Sequence, residues 1–162
     1  MTMVPATLRR YLLAPGVLGD THAMLRESGA RGLEAVVVWI GGVIDPQTAR
    51  IVGALRPGQI AYAGEDGCAV EVPPDALSEL ISLLPPELFV LARVHTHPSE
   101  AYHSPVDDQN MLISHNGAIS VVVPNFALEP IDLAACSVNE LRHGIGWVEL
   151  PPDDVAERFV VQ

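Results

Sequence analysis

The run Glu34-Ala-Val-Val-Val-Trp-Ile40 constrains the fold more than any other part of this chain. Every residue after Glu34 is apolar, so a strand built from them is hydrophobic on both faces. Such a strand belongs in the interior of a sheet that is covered on both sides, and its β-branched residues suit the pleated geometry. Leu88 to His97 reads as a further strand, with Leu91, Arg93, His95 and His97 on one face, and Ala118 to Val123 as another buried strand. Between them, Pro74 to Leu84 reads as a helix with an apolar stripe at Ala76, Leu77, Leu80, Ile81 and Leu84. Its proline suits a first turn, and Pro85-Pro86 stops it. Buried strands alternating with helices predict an α/β domain with one central mixed β-sheet flanked by helices.

Shorter signals fill in the rest. Asp20-Thr21 reads as the cap of a helix running to about Ser28, with Gly29 to Gly32 as its stop. Gly41-Gly42 suits a bulge, because Val43-Ile44 continue the apolar run. Asp45-Pro46 suits a type I turn, after which a strand returns through Ala49 to Leu55. Ala61-Tyr62 and Cys68 to Val72 supply another short pair. Ala134 to Leu141 and Gly146 to Leu150 read as a late hairpin, and Val155 to Val161 fits strand or helix equally.

A length of 162 residues suits a single domain over 1–162. An apolar fraction of 49% with 18% charged residues excludes a disordered chain. No apolar run approaches the ~20 residues that span a bilayer. Tyr11 to Ala14, after Arg9-Arg10, is shorter than a signal-peptide core of ~7–15 residues, which predicts a cytoplasmic protein without a membrane partner. A net charge of −11 repels nucleic-acid phosphates, so no nucleic-acid partner is expected. Cys68 and Cys136 stand alone and read as reduced thiols.

The chemistry concentrates in His95-Thr96-His97-Pro98 and Ser104-Pro105-Val106-Asp107. Residues i and i+2 of a strand share a face, so His95 and His97 can converge on one ion. Pro98 ends the strand, and strand ends are where α/β sheets place ligands. Asp107 can complete a set of three ligands, the catalytic rather than the structural zinc arrangement. Ser104, Pro105 and an acid three residues after the serine also make a helix N-cap box, for a helix from Pro105 to about His115 closed by Asn116-Gly117. The two readings are compatible: the hydroxyl can accept from a helix N–H and donate toward an oxyanion. A general base is still needed. Glu34, opening the most apolar strand, is the first candidate by position and Glu71 the competitor. His103 is not needed as a ligand, and Asp108 points about 100° away from Asp107 on a helix. Glu100 and Tyr102 lie on the loop over the site.

Glu34, His95-x-His97-Pro98 and Ser104-x-x-Asp107, in that order and with about sixty residues between the glutamate and the histidines, resemble the JAMM (MPN-plus, JAB) metallopeptidase motif. The resemblance covers about Thr21 to Val123. It implies a JAB/MPN-type domain of cytidine-deaminase-like fold, with zinc held by His95, His97 and Asp107. Glu34 would then accept a proton from the water at the metal and pass it to the leaving amine, and Ser104 would stabilise the oxyanion. Family members cleave bonds after the C-terminal tail of ubiquitin or a ubiquitin-like protein. The short spacer Ser99 to His103 and the lack of long insertions look like the compact bacterial type. A zinc isopeptidase or peptidase acting on a ubiquitin-like protein is therefore expected. The alternatives are a peptidase that processes a sulfur-carrier protein or releases an amino acid from it, and a non-catalytic MPN-type scaffold. There is no H-E-x-x-H, no P-C-x-x-C, no Gly-rich phosphate loop and no G-x-S-x-G. A barrel amidohydrolase would need ~250 residues.

Overall fold

The structure is a computed structural model that describes residues 4–105, 107 and 112–162. Its strands are β1 (Arg10–Leu13), β2 (Val36–Asp45), β3 (Thr48–Leu55), β4 (Ile60–Gly64), β5 (Gly67–Glu71), β6 (Phe89–Thr96), β7 (Ile119–Val123), β8 (Ser137–Arg142), β9 (Gly146–Glu149) and β10 (Phe159–Val161). The helices are α1 (Val17–Gly29), α2 (Pro74–Ser82) and α3 (Pro152–Arg158). Eight strands form one mixed sheet in the order β10-β1-β3-β2-β6-β7-β8-β9, and β4 pairs with β5 in a separate hairpin. The α/β architecture is the expected one.

The most apolar run does sit inside the sheet. β2 runs antiparallel to both β3 and β6, and Val37, Val38 and Trp39 are fully buried. Alternation divides the core between the two faces. Val37, Trp39, Val94 and Val121 pack with Leu25 of α1, whereas Val38, Ile40 and Val90 pack with Leu80 and Leu84 near α2. β6 is the pivot: it is antiparallel to β2 and parallel to β7, so its C-terminal end opens beside a strand that runs the same way.

Two irregularities matter for the site. The β2–β3 register shifts between Ile40 and Gly41, the expected bulge. A second shift pairs Trp39 with Ala92 and Ile40 with Val90, leaving Leu91 as an extra residue of β6. Leu91 consequently packs in the α1-side core with Val94 and not on the face of Arg93 and His95.

Helix α1 begins at Val17 behind Gly16, whose φ of 90° is left-handed, so Asp20-Thr21 is not its cap. The Thr21 hydroxyl instead donates to the Val17 carbonyl and accepts from the Trp39 indole at 2.9 Å. The ambiguous tail is both things: α3 leads directly into β10, which pairs in parallel with β1. Of the expected helix from Pro105, residues 105 and 107 are helical, 106 and 108–111 lie outside the described residues, and Leu112 to His115 are not helical.

After β7, Asn125, Phe126 and Ala127 take φ values of 55°, 52° and 54°, a left-handed turn without glycine. Such a conformation costs an L-residue about 1–2 kcal/mol. It persists because its surroundings hold it. The Asn125 and Phe126 N–H groups donate to the carbonyls of Ser99 and His97, each at 2.9 Å. From α1, Arg26 donates to the Phe126 carbonyl at 3.2 Å.

Candidate metal centre

His95, the penultimate residue of β6, is 5% exposed, and His97 follows the strand at 6%. Their rings lie edge to face with centroids 5.2 Å apart. The backbone fixes this end of the strand from both sides. The His97 N–H donates to Val123 of β7 and its carbonyl accepts from Phe126 of the left-handed turn. Asp107 reaches in from the helical turn that follows Ser104. One carboxylate oxygen, Oδ1, lies 3.0 Å from His95 Nε2, and the other, Oδ2, lies 3.3 Å from His97 Nε2. One ligand atom from each of the three residues falls within 4.8 Å of the others. The structure thus brings the expected ligands together, and they are the one such cluster among the described residues.

Ser104 and Asp107 form a reciprocal cap. The Ser104 N–H donates to Asp107 Oδ2 at 2.8 Å, and the Asp107 N–H donates to Ser104 Oγ at 3.2 Å. The serine hydroxyl keeps its own hydrogen for another acceptor.

Burial would raise the Asp107 carboxyl, but its close contacts with both imidazoles outweigh it and hold the group far below the usual carboxylate range. Burial lowers His95, which keeps its ring neutral and a lone pair available. Burial also works against a charged His97, yet the hydrogen bond and charge of Asp107 leave its value raised. His95 Nε2 is completely buried and makes no properly directed hydrogen bond. A buried acceptor costs about 1–3 kcal/mol when left without a partner. Two imidazoles and an ionised carboxylate around that orphaned nitrogen fit a divalent cation with nitrogen and oxygen ligands.

Glu34 is 8% exposed, and its charge couples to both His97 and Asp107. Burial pushes its carboxyl up to about 7, with His97 pulling down and Asp107 pushing up. The backbone around it is locked to the histidine strand. The Ala35 N–H donates to Thr96 Oγ1 at 3.0 Å, the Thr96 N–H returns to the Ala35 carbonyl, and Val36 stands opposite His95. The Gln59 side chain supplies what β3 no longer does: its Oε1 accepts from the Val36 N–H at 2.9 Å and its Nε2 donates to the Val36 carbonyl at 2.8 Å. Glu71 is exposed at the end of β5, so the structure gathers Glu34 and not its competitor.

The remaining loop residues sort plainly. The Tyr102 ring stands edge-on to His97 at 4.7 Å. His103 is not part of the cluster of ligand atoms. Its Nε2 lies 2.9 Å from the Arg93 guanidinium, which has only hydrogens to offer, so that nitrogen is an acceptor and its lone pair is taken. Asp108 lies outside the described residues. Thr96, Gln59 and Arg93 are the contributors that sequence reasoning missed. Only Arg93 carried a signal, as a charge in the middle of an apolar strand.

The chain is 35% identical over 145 residues to the probable metalloprotease y4jG of Sinorhizobium fredii (strain NBRC 101917 / NGR234), a match covering 89% of each chain. It is similar in fold to the solution structure of protein DSY2949 from Desulfitobacterium hafniense, with a TM-score of 0.62 over 94% of this chain and 92% of that one. The two share 13% identity, so this likeness concerns the fold alone. No protein-family model matches the chain.

Proposed function

This chain belongs to a metalloprotease family, and from that premise we propose that it is a JAMM-type zinc peptidase. Its substrate would be the bond that follows the C-terminal tail of a ubiquitin-like or sulfur-carrier protein. The observation that carries the reading is the convergence of His95, His97 and Asp107 with Glu34 beside them.

His95, His97 and Asp107 would hold the ion. When bound, zinc would polarise the scissile carbonyl and acidify water. Glu34, buried beside the ligands, would accept a proton from the attacking water and return it to the leaving amine. The Ser104 hydroxyl, fixed by its Asp107 contact, would donate to the oxygen on which negative charge develops. Tyr102 covers the His97 ring and would limit the approach of water from that side. The choice of a protein tail as substrate rests on the resemblance of the motif.

The first test is metal content by elemental mass spectrometry, on protein purified without a His tag or added metal. About one zinc per chain is expected, lost in His97→Ala. A Gly-Gly-tailed ubiquitin-like fusion and a sulfur-carrier–amino acid conjugate are then offered to the loaded protein. Cleavage of either identifies the substrate class. A chain that takes up no metal is a scaffold of the same fold, and a loaded chain inert toward both substrates removes the protein-tail assignment.

A further inference from the structure

We propose that Arg93 is a positioning residue for the metal centre, whose guanidinium sets where Asp107 stands relative to His95 and His97. This role rests on the metalloprotease reading. It concerns a residue outside the motif.

Arg93 is 3% exposed in the middle of β6, on the face of His95, and its Cα partner across β7 is Ser120. Its Nε donates to Ser120 Oγ at 2.9 Å. The Nη2 nitrogen has two hydrogens and uses them on the two sides of Ser104. It donates to His103 Nε2 at 2.9 Å and to the Asp107 carbonyl at 2.7 Å. The guanidinium carbon lies 5.1 Å from the centre of the Trp147 ring, against which His103 also packs at 5.0 Å. The strand that delivers the histidines thus reaches across and grips the segment that delivers the carboxylate.

Among the described residues, the other ties between the third ligand and the first two are its own side chain and the loop from Pro98. Partners that orient metal ligands are typically worth 10- to 100-fold in metal affinity. Lysine cannot replace arginine here, because a single ammonium on a flexible stem cannot serve Ser120 and Asp107 together while stacking on Trp147. Ser120 matters in its turn, since it fixes the plane of the fork from β7. The same polar row continues across the sheet: Ser120 faces Asn139, and Asn139 faces Glu149. Asn139 donates to Ser137 Oγ at 3.0 Å, and Ser137 to Glu149 at 2.9 Å. A buried network of this kind rigidifies only when it is satisfied throughout.

The test uses the full chain stripped of metal and titrated with Co²⁺, followed by absorption, and with Zn²⁺ against a chelator. Wild type, Arg93→Lys and Ser120→Ala are compared, with the thermal midpoint of each apo form as a control for folding. Arg93→Lys should bind zinc roughly 10- to 100-fold more weakly and show an altered cobalt spectrum, while its apo form still melts cooperatively. Wild-type affinity and an unchanged spectrum in Arg93→Lys would overturn the role and leave the metal site standing. If Arg93→Lys does not fold, Ser120→Ala decides the matter: a weaker affinity or shifted spectrum supports the role, and wild-type values for both overturn it. A wild-type chain that binds neither ion removes the metalloprotease reading itself, a result distinct from the other two.

Discussion

Ser104 and Asp107 hold each other through two backbone N–H groups, 2.8 Å in one direction and 3.2 Å in the other. The consequence is a division of labour within the serine. Its N–H orients the carboxylate, and its hydroxyl hydrogen stays free of that cap, to serve the oxyanion in the proposed reaction. Ser104→Ala removes the second and keeps the first. Turnover should fall roughly 100- to 1,000-fold, the usual loss for one oxyanion donor. Zinc content should be unchanged, and the lost cap should cost about 1 kcal/mol. A loss of turnover below about tenfold would show that the hydroxyl does not meet the oxyanion.

Glu34→Gln separates chemistry from stability. A carboxyl raised to about 7 by burial stabilises the fold fully below its ordinary value of 4.5, and that contribution is lost as pH rises through 7. Glutamine stays neutral throughout. The metal-free variant should therefore match wild type near pH 4 and exceed it by about 1–3 kcal/mol at pH 8, measured by thermal melts in chelator. Cleavage by the zinc form should be abolished with zinc retained. In the loaded wild type the cation lowers Glu34, so the rising limb of its pH–rate profile should lie below 7. A stability difference that does not change with pH would contradict the burial of this carboxyl.

Away from the site, Glu140 is 4% exposed and is gripped by Arg158 at 2.5 Å and Arg142 at 3.1 Å. Burial alone would raise this carboxyl; the hydrogen bond and charge of Arg158 reverse the sign and leave it lowered. Its stabilising contribution is then present above the ordinary carboxylate value and lost as pH falls through the depressed one. Arg158→Gln should cost about 2–4 kcal/mol at neutral pH. Its acid unfolding midpoint should move to higher pH than that of wild type. Equal acid midpoints would mean that the pair contributes nothing.

Gly29 ends α1 directly against the left-handed turn. A Cβ added there would fall 2.1 Å from the Phe126 carbonyl oxygen and 2.9 Å from the Phe126 Cβ. Backbone must move to admit it, so Gly29→Ala should destabilise by about 2–4 kcal/mol. Because the Phe126 N–H is bonded to the His97 carbonyl, zinc affinity of the folded variant should fall as well. Chemical denaturation and chelator competition report the two effects. A destabilised variant with wild-type zinc affinity would show that the turn does not support the ligand.

What was legible in the sequence was local. Predominantly apolar runs announced β2, β6 and β7, and paired glycines announced the bulge at Gly41. His95, His97, Ser104 and Asp107 were readable because their chemistry lies in spacings of two and three residues. Contacts made over long separations were not readable. Thr21 looks like a cap because its partner Trp39 lies on another element, and Gln59 looks like a loop residue because it completes a strand edge at Val36. β10 is too short to declare itself without β1 beside it. Simple alternation puts Leu91 on the face of Arg93 and His95, and one extra residue in β6 moves it to the other. A buried arginine such as Arg93 signals that partners must exist, and only the fold says which.

Asn125, Phe126 and Ala127 remain the place where the chain is built against its own handedness. For a mirror-image amino acid, φ values near +55° are the relaxed ones. A semisynthetic protein with D-asparagine in place of the exposed Asn125 would keep the backbone path without the steric cost borne by the natural residue. Chirality, usually uniform along a protein, is here a local variable, and this bend behind the histidine strand is where inverting it should stabilise the fold.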